Sequence, residues 1–176
     1  TDTIRLDDWL NLSRGGEKTT GAAERIRSVD LLVDNFYAVG QHLRSHRVRV
    51  DRSARDWLVQ LDGDDVTGSL FVPYDFGSDR SMVIEMERMR LPGDENSAPS
   101  PTDVDPRKLP PIQLTAQEFA LGDRYFGAVT ASLRKVEGGL ESERLEATDA
   151  TFEFVGSGRW LADDSDPRGS RTSVEA

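Results

Sequence analysis

The sequence predicts a mainly β protein: an antiparallel meandering sheet, open or half-rolled, groove-like and repeated, with a short N-terminal helix. Three observations support this prediction: long stretches in which apolar and polar residues alternate, turn-forming residues between those stretches, and a pattern that recurs along the chain. Strict alternation is typical of strands with one buried and one solvated face. The 176 residues suffice for one domain or for two small units that share a core.

Residues 1–27 are predicted to form a short helix and a loop. Leu6, Trp9 and Leu10 recur at helical spacing, and two aspartates in the first turn favour the positive end of the helix dipole. Residues 14–21 show no periodicity, which indicates a loop.

Residues 28–91 are predicted to form a first β unit. Val29, Leu31 and Val33 alternate with Asp30 and Asp34, and the same period of two returns further along the unit. It covers residues 47–51, 57–62, 66–72 and 81–87. The dipeptide at 62–63, Asp-Gly, is a favourable hairpin turn within this unit.

Three further segments complete the predicted organisation. Residues 92–111 hold six of the eight prolines and are predicted to be a loop or linker, because proline cannot donate to a strand ladder. Strand patterning resumes in a second β unit at 112–161, and residues 162–176 are predicted to be a frayed polar tail or the start of a further part of a longer protein.

The two β units match when the second is shifted back onto the first by one constant offset. This repeat alignment places Val29 against Ile112, Phe36 against Phe119 and Val50 against Leu133. The match lies in the pattern more than in residue identity. It favours a sheet that extends in one dimension over a closed globule.

The composition excludes several classes of function. A net charge of −10 disfavours nonspecific binding to nucleic acid and to anionic bilayer surfaces. The absence of cysteine excludes disulfides, thiolate metal sites and thiol catalysis. No apolar run approaches the roughly 20 residues of a membrane-spanning helix, so we expect any anchor to lie elsewhere in a longer parent protein.

The sequence resembles a known family over residues 28–161. The second half carries the strongest signals: Leu109-Pro110-Pro111-Ile112-Gln113-Leu114, Phe119-Ala120-Leu121-Gly122, Tyr125-Phe126-Gly127-Ala128-Val129 and Gly156-Ser157-Gly158-Arg159-Trp160. The first half is similar in the same order: Val29 to Phe36, Gly40, Val48 to Val50, Asp56-Trp57-Leu58-Val59 and Val66-Thr67-Gly68-Ser69-Leu70. Together these motifs resemble the distal periplasmic region of YhdP-type AsmA-like proteins.

The resemblance implies a periplasmic module that is not an enzyme and has no cofactor, within a Gram-negative protein anchored in the inner membrane. Proteins of this family use repeated β-sheets as an apolar groove for phospholipid movement between the inner and outer membranes. The implied partner is the phospholipid acyl chain. The open sheet edges also predict self-association of a short segment.

The resemblance and the alternation together give the candidate site residues. The lipid-groove candidates are Val29, Leu31, Val33, Val48, Val50, Trp57, Val59, Leu61, Leu70 and Val72. The candidates for contact with a headgroup or a partner are Arg44, Arg47 and Arg49, which belong to a local basic cluster. Each set also has a purely structural interpretation. The first set would form a conventional core. The second would form a solvated strand face, paired with acidic residues such as Asp62 or Asp64.

Catalytic and metal-binding motifs are not evident. His42 and His46 are the two histidines, and neither belongs to a zinc-binding motif. Asp62, Asp64 and Asp65 lack the spacing and the closing glutamate of a calcium loop. The alternative function is therefore another non-enzymatic one, a structural or carbohydrate-binding β-sandwich with a conventional core.

Overall fold

The computed structural model describes residues 3–5, 28–38, 41–92, 105–163, 165 and 169–175, with side chains described outside 3–5 and 33–46. These residues form eleven strands and one short 3₁₀ turn. The strands are β1 (Thr3–Arg5), β2 (Ser28–Ala38), β3 (Gln41–Arg52), β4 (Asp56–Asp62), β5 (Val66–Pro73), β6 (Met82–Leu91), β7 (Ile112–Leu121), β8 (Arg124–Val136), β9 (Gly139–Thr148), β10 (Glu153–Ala162) and β11 (Ser170–Glu175).

All eleven strands belong to one sheet, in which each strand lies beside the next one along the chain. The sheet is open, because β1 and β11 form its two edges and do not pair with each other. This confirms the predicted mainly β, open, meandering architecture. The alternative architecture, a sandwich of two packed sheets, is not what the described residues form.

Two of the ten strand pairings are parallel, which the sequence analysis did not predict. β1 and β2 are parallel, and so are β6 and β7, while every other neighbouring pair is antiparallel. A parallel step needs a connection that carries the chain back along the sheet, and residues 92–111 provide it between β6 and β7. The sheet therefore consists of two five-strand meanders, β2–β6 and β7–β11, each entered by a parallel step.

The repeat alignment relates these two meanders strand by strand. It places β2 on β7, β3 on β8 and β4 on β9, while β5 falls only partly on β10. Val50 and Leu133 occupy equivalent places near the ends of β3 and β8, and Trp57 and Leu140 follow at the starts of β4 and β9. Each meander is thus one structural unit of the sheet.

The chain ends differ from the prediction where the structure describes them. The predicted short helix with Leu6, Trp9 and Leu10 lies outside the described residues, and Thr3–Arg5 ahead of it forms β1. Within the predicted polar tail, Ser170–Glu175 forms β11 by pairing with β10. The sequence did not indicate β11 because its side chains are mostly exposed, so no alternation marks a strand held by backbone hydrogen bonds.

Short polar residues fix several turns of the sheet. The Ser53 hydroxyl accepts hydrogen bonds from the backbone N–H groups of Arg55 and Asp56 between β3 and β4. The Asp149 carboxylate accepts from the N–H groups of Thr151 and Phe152 between β9 and β10. The bond from the Thr151 backbone is the main reason that the pKa of Asp149 lies below its usual range, so this turn stays negatively charged.

The described end of the β6–β7 connection packs on the sheet. Asp105 caps the 3₁₀ turn Pro106–Lys108 by accepting a hydrogen bond from the Arg107 N–H. Pro106 and Pro110 are fully buried, and Leu109 forms a buried cluster with Ile112 and Leu140. The described part of the predicted loop, residues 105–111, therefore covers part of the second unit.

Candidate functional site: the apolar face of the sheet

Pairing between strands brings the predicted groove residues onto one face. Leu31, Val48 and Leu61 are consecutive cross-strand partners, and so are Val29, Val50, Val59 and Leu70. Trp57 pairs with Val72 on the same face. Val33 lies in β2 opposite His46, and the side chains of both are outside the described set.

The first of these lines of partners continues without a break across nine strands. It consists of Leu31, Val48, Leu61, Gly68, Met86, Ala116, Val129, Ala147 and Phe154. We call it the first row. Eight spacings of about 4.8 Å separate its ends, so it runs for about 38 Å perpendicular to the strands.

A second row lies beside the first, two residues away along each strand of the first unit. It consists of Val29, Val50, Val59, Leu70, Ile84, Leu114, Ala131, Leu145 and Gly156. Both rows cross the parallel step between β6 and β7, where Met86 pairs with Ala116 and Ile84 with Leu114. The apolar face is therefore continuous between the two units.

The two rows differ in their exposure. Six of the nine first-row residues are buried, with Ala116 only 1% and Met86 5% exposed, as in a conventional core. Most of the second row is half-buried, including Val50, Leu70 and Ile84. A bound apolar chain would therefore contact the second row, while the first row holds the sheet together.

The single glycine in each row is covered by a neighbouring side chain. A Cβ at Gly68 would lie 2.7 Å from the Met86 sulfur, and a Cβ at Gly156 would lie 2.7 Å from the Phe154 ring. Met86 and Phe154 thus fill the space above these glycines. The apolar surface has no gap at either position.

One end of the apolar face carries an arginine that contacts two aromatic rings. Arg52 follows Val48 and Val50 on this face of β3 and pairs with Trp57. Its guanidinium carbon lies 5.8 Å from the centre of the Trp57 ring and 5.5 Å from that of Tyr74. The two rings meet edge to face at 5.4 Å, and the Tyr74 hydroxyl donates to the Ser53 carbonyl at 2.6 Å.

The arginines that were predicted to contact a headgroup or a partner do not lie on the apolar face where the structure describes them. Arg47 and Arg49 alternate with Val48 and are exposed on the polar face, where each lies 3.8 Å from the Asp30 carboxylate. Arg47 also pairs with Asp62 across β3 and β4. The side chain of Arg44 is outside the described set. Contact of these residues with a headgroup or partner stays a prediction, and the polar face suits a partner better than a lipid in the groove.

The polar face also contains a network of charges and a shallow cavity. The Glu141 carboxylate accepts hydrogen bonds from Arg134 at 2.5 Å and from Arg159 at 2.7 Å, and Arg134 also bonds Glu143. Together with Ser157, Ser173 and other polar residues, they line a cavity of about 430 Å³. Because these opposite charges form ion pairs with one another, the network links β8, β9 and β10.

Sequence reasoning missed Ile84 in the first unit and the half of the apolar face that lies in the second unit. Ile84, Leu114, Leu133 and Leu145 belong to the same surface as Val50 but were not among the predicted groove residues. The repeat alignment could have found Leu133, because it sets that residue against Val50. The bulges in β8 and β9 shift the alternation and hide part of the signal.

The described residues hold neither a metal site nor a membrane-spanning helix. No group of three or more histidine, aspartate or glutamate side chains is placed to hold a metal ion. No helix in the same part of the chain has the length and apolarity needed to cross a membrane.

Comparison with known proteins gives one match. The family model described as YhdP protein matches residues 1–175. No curated protein and no solved structure matches significantly. Because the family model covers nearly the whole chain, this chain belongs to the YhdP family.

Proposed function

We propose that the chain is a non-enzymatic lipid-binding and transport module, in which the apolar face forms part of a groove for phospholipid acyl chains. The observation that carries this proposal is the second row, which crosses both units without a break. Its half-buried members, such as Leu70, Ile84 and Leu114, offer a continuous apolar track. Family membership supports the proposal.

The energetics of lipid transfer require such a track. Exposure of an acyl chain to water costs about 0.8 kcal/mol per CH₂ group, or about 12 kcal/mol for sixteen carbons. A carrier must therefore shield the chain along its length while the headgroup stays in water. A row of apolar side chains perpendicular to the strands contacts the acyl chain at every strand. The acyl chain can therefore move from one strand to the next without exposure to water.

The proposal extends to the setting of the module. We place it in the periplasm, within a parent protein anchored in the inner membrane, where it moves phospholipid between inner and outer membranes. Its partners are phospholipid acyl chains and, at the open edges formed by β1 and β11, another strand or a second copy. It needs no cofactor and does not bind nucleic acid.

A binding experiment with two matched variants tests the proposal. The purified chain is incubated with phosphatidylethanolamine and phosphatidylglycerol vesicles, separated from them by gel filtration, and assayed for bound phospholipid. We expect about one phospholipid or more per chain. Leu70→Gln, which places an amide in the second row, should lower this amount several-fold.

Ser69→Gln is the control, because Ser69 is the preceding residue on β5 and its side chain lies on the opposite face of the sheet. It should leave the bound amount unchanged. A folded chain that carries no lipid would contradict the proposal, and so would an equal loss in both variants. Binding of oligosaccharide instead of lipid would favour the alternative carbohydrate-binding function.

A further inference from the structure

We propose that Arg52 and Lys135 are a pair of phosphate-binding residues, one in each unit, that hold phospholipid headgroups along the same rim of the apolar face. The proposal rests on the proposed function and deepens it by placing the headgroup. It starts from a break in the alternation of β3 and β8. In both strands the apolar series ends in a cation: Val48, Val50 and Arg52 in β3, and Ala131, Leu133 and Lys135 in β8.

The two cations occupy equivalent positions. The repeat alignment that relates the two units sets Arg52 against Lys135, and it also sets their cross-strand partners, Trp57 and Leu140, against each other. Each cation therefore lies at the same end of the same strand of its unit. Five strand spacings of about 4.8 Å place them about 24 Å apart along the rim.

The contacts of Arg52 leave its hydrogen-bond donors available. Trp57 and Tyr74 contact the guanidinium as aromatic partners, and within the described part of the chain Arg52 forms no ion pair with a carboxylate. Such stacking restrains the side chain, while the N–H groups in the guanidinium plane keep the geometry that matches a phosphate. Arg52 is therefore oriented but not neutralised.

Lys135 is positioned by a different contact. Its ammonium donates one hydrogen bond, of 2.7 Å, to the carbonyl of Phe76 in the β5–β6 loop. An ammonium group has three donors, and the side chain is exposed, so two donors remain for a ligand. The contact fixes the cation over the apolar face at the same rim as Arg52.

The position of Arg52 suits a headgroup whose acyl chain lies in the second row. Val50 is a second-row residue two positions before Arg52, so their Cα atoms are about 6.6 Å apart along the strand. A phosphate bound at Arg52 would therefore lie next to the start of an acyl chain that contacts Val50. Trp57 and Tyr74, which combine apolar rings with polar tips, line the boundary between them.

The turns at the opposite rim of the face are acidic. Its turns carry Asp62, Asp64 and Asp65 between β4 and β5, Asp123 between β7 and β8, and Asp149 after β9. All but Asp149 are exposed, and hydrogen bonds from Thr151 keep Asp149 charged. A phosphodiester therefore favours the rim of Arg52 and Lys135 over this acidic rim.

A comparison of two short-chain lipids tests the proposal in the full chain. Dioctanoylphosphatidylglycerol and dioctanoylglycerol share their acyl chains, but the second lacks the phosphate. We expect the chain to bind the phospholipid about tenfold more tightly, as for one good charge-assisted contact. Arg52→Gln and Lys135→Gln together should abolish this preference without weakening dioctanoylglycerol binding.

Arg90→Gln is the matched control, because Arg90 is an exposed arginine at the opposite rim that forms an ion pair with Glu118, and it should keep the preference. Lys135→Arg should keep it too, since the charge remains. Equal affinity for both lipids in the unaltered chain would overturn the headgroup sites and leave the groove standing. Binding of neither lipid would overturn the proposed function itself.

Inorganic phosphate separates a headgroup site from a site for the free ion. The proposal expects millimolar phosphate to have little effect on binding of the phospholipid, since the acyl chains supply most of the affinity. Tight binding of inorganic phosphate alone, lost in the double variant, would assign the two cations to a free anion and overturn their role toward lipid.

Discussion

Met86 and Ala116 are cross-strand partners at the parallel step between β6 and β7, and both are almost completely buried. This pairing carries the first row from one unit into the next. Because the parallel step keeps the register of both rows, the apolar face extends beyond a single meander. The length of the proposed groove therefore depends on how units are joined as well as on the alternation within each strand.

Leu140 is the most deeply buried leucine among the described residues, and its truncation should destabilise the fold strongly. Its exposure is 0%, and it packs against Leu109 and Ile112. Leu140→Ala should lower the free energy of unfolding by about 2–5 kcal/mol in urea titrations. Leu32→Ala, at a side chain that is 76% exposed, should change it by no more than about 0.5 kcal/mol. Similar losses of stability in both variants would contradict the buried position of Leu140.

Gly68 should tolerate no side chain. Its φ of +152° is unfavourable for other residues, and a Cβ would lie 2.7 Å from the Met86 Cα and closer still to the Glu85 carbonyl oxygen. Gly68→Ala should therefore cost about 2 kcal/mol or more in thermal or urea unfolding, because two strand backbones must separate.

Gly77→Ala is the control for that substitution. A Cβ at Gly77 would meet only the flexible Asp75 carboxylate at 3.1 Å, so the change should stay within about 0.5 kcal/mol. A stable Gly68→Ala variant would contradict the register between β5 and β6.

Asp105 should make stability depend on pH in the acid range. The hydrogen bond from the Arg107 side chain is the main cause that lowers the pKa of Asp105 below its ordinary value of 3.8. A lowered pKa in the folded state means that the ionised carboxylate stabilises the fold above that ordinary value. The contribution is lost as the pH falls from there through the folded pKa.

Asp105→Asn tests this dependence through urea unfolding at pH 7 and at pH 3. The variant should be less stable than the unaltered chain at pH 7, because the ionic partner of Arg107 is lost while a capping side chain remains. The difference between the two proteins should shrink at pH 3. A difference that stays constant between the two pH values would contradict the ionic role of Asp105.

The ion pairs of Glu141 should contribute less to stability at high salt concentration. The Glu141 side chain is 14% exposed, whereas its partners Arg134 and Arg159 are each more than half exposed. Glu141→Gln should cost about 1 kcal/mol at low ionic strength, and this cost should fall in 1 M NaCl because added salt screens the charges. Glu143→Gln should cost less, since Glu143 is 75% exposed with one partner. An equal loss of stability from Glu141→Gln at both salt concentrations would contradict an electrostatic contribution of these ion pairs.

The sequence predicted the fold where burial on one face imposed alternation. Val29, Leu31, Val48 and Val50 alternate strictly, and their strands form as expected. β11 was missed, because an edge strand held by backbone bonds leaves no such trace. The parallel steps were missed too, since strand direction depends on where the chain crosses and not on the local pattern.

The candidate site was predicted only in its first half. The pattern identified Val50 and Leu70 but not Arg52, because a cation at the end of an apolar series looks like the start of a turn. Its significance emerges from its pairing with Trp57 and from its equivalence to Lys135. Once β3 is known to extend to Arg52, alternation alone places Arg49 and Arg52, three residues apart, on opposite faces.

The most direct test of lipid binding by the apolar face is photolabelling of the purified chain by a phospholipid that carries a diazirine in its acyl chain. Peptide mass spectrometry then assigns the adducts to residues on either face. We expect adducts at Val50, Leu70 and Ile84, with few at their neighbours Arg49, Ser69 and Glu85 on the polar face. Equal labelling of both sets, or labelling of the polar set alone, would contradict a lipid-binding apolar face.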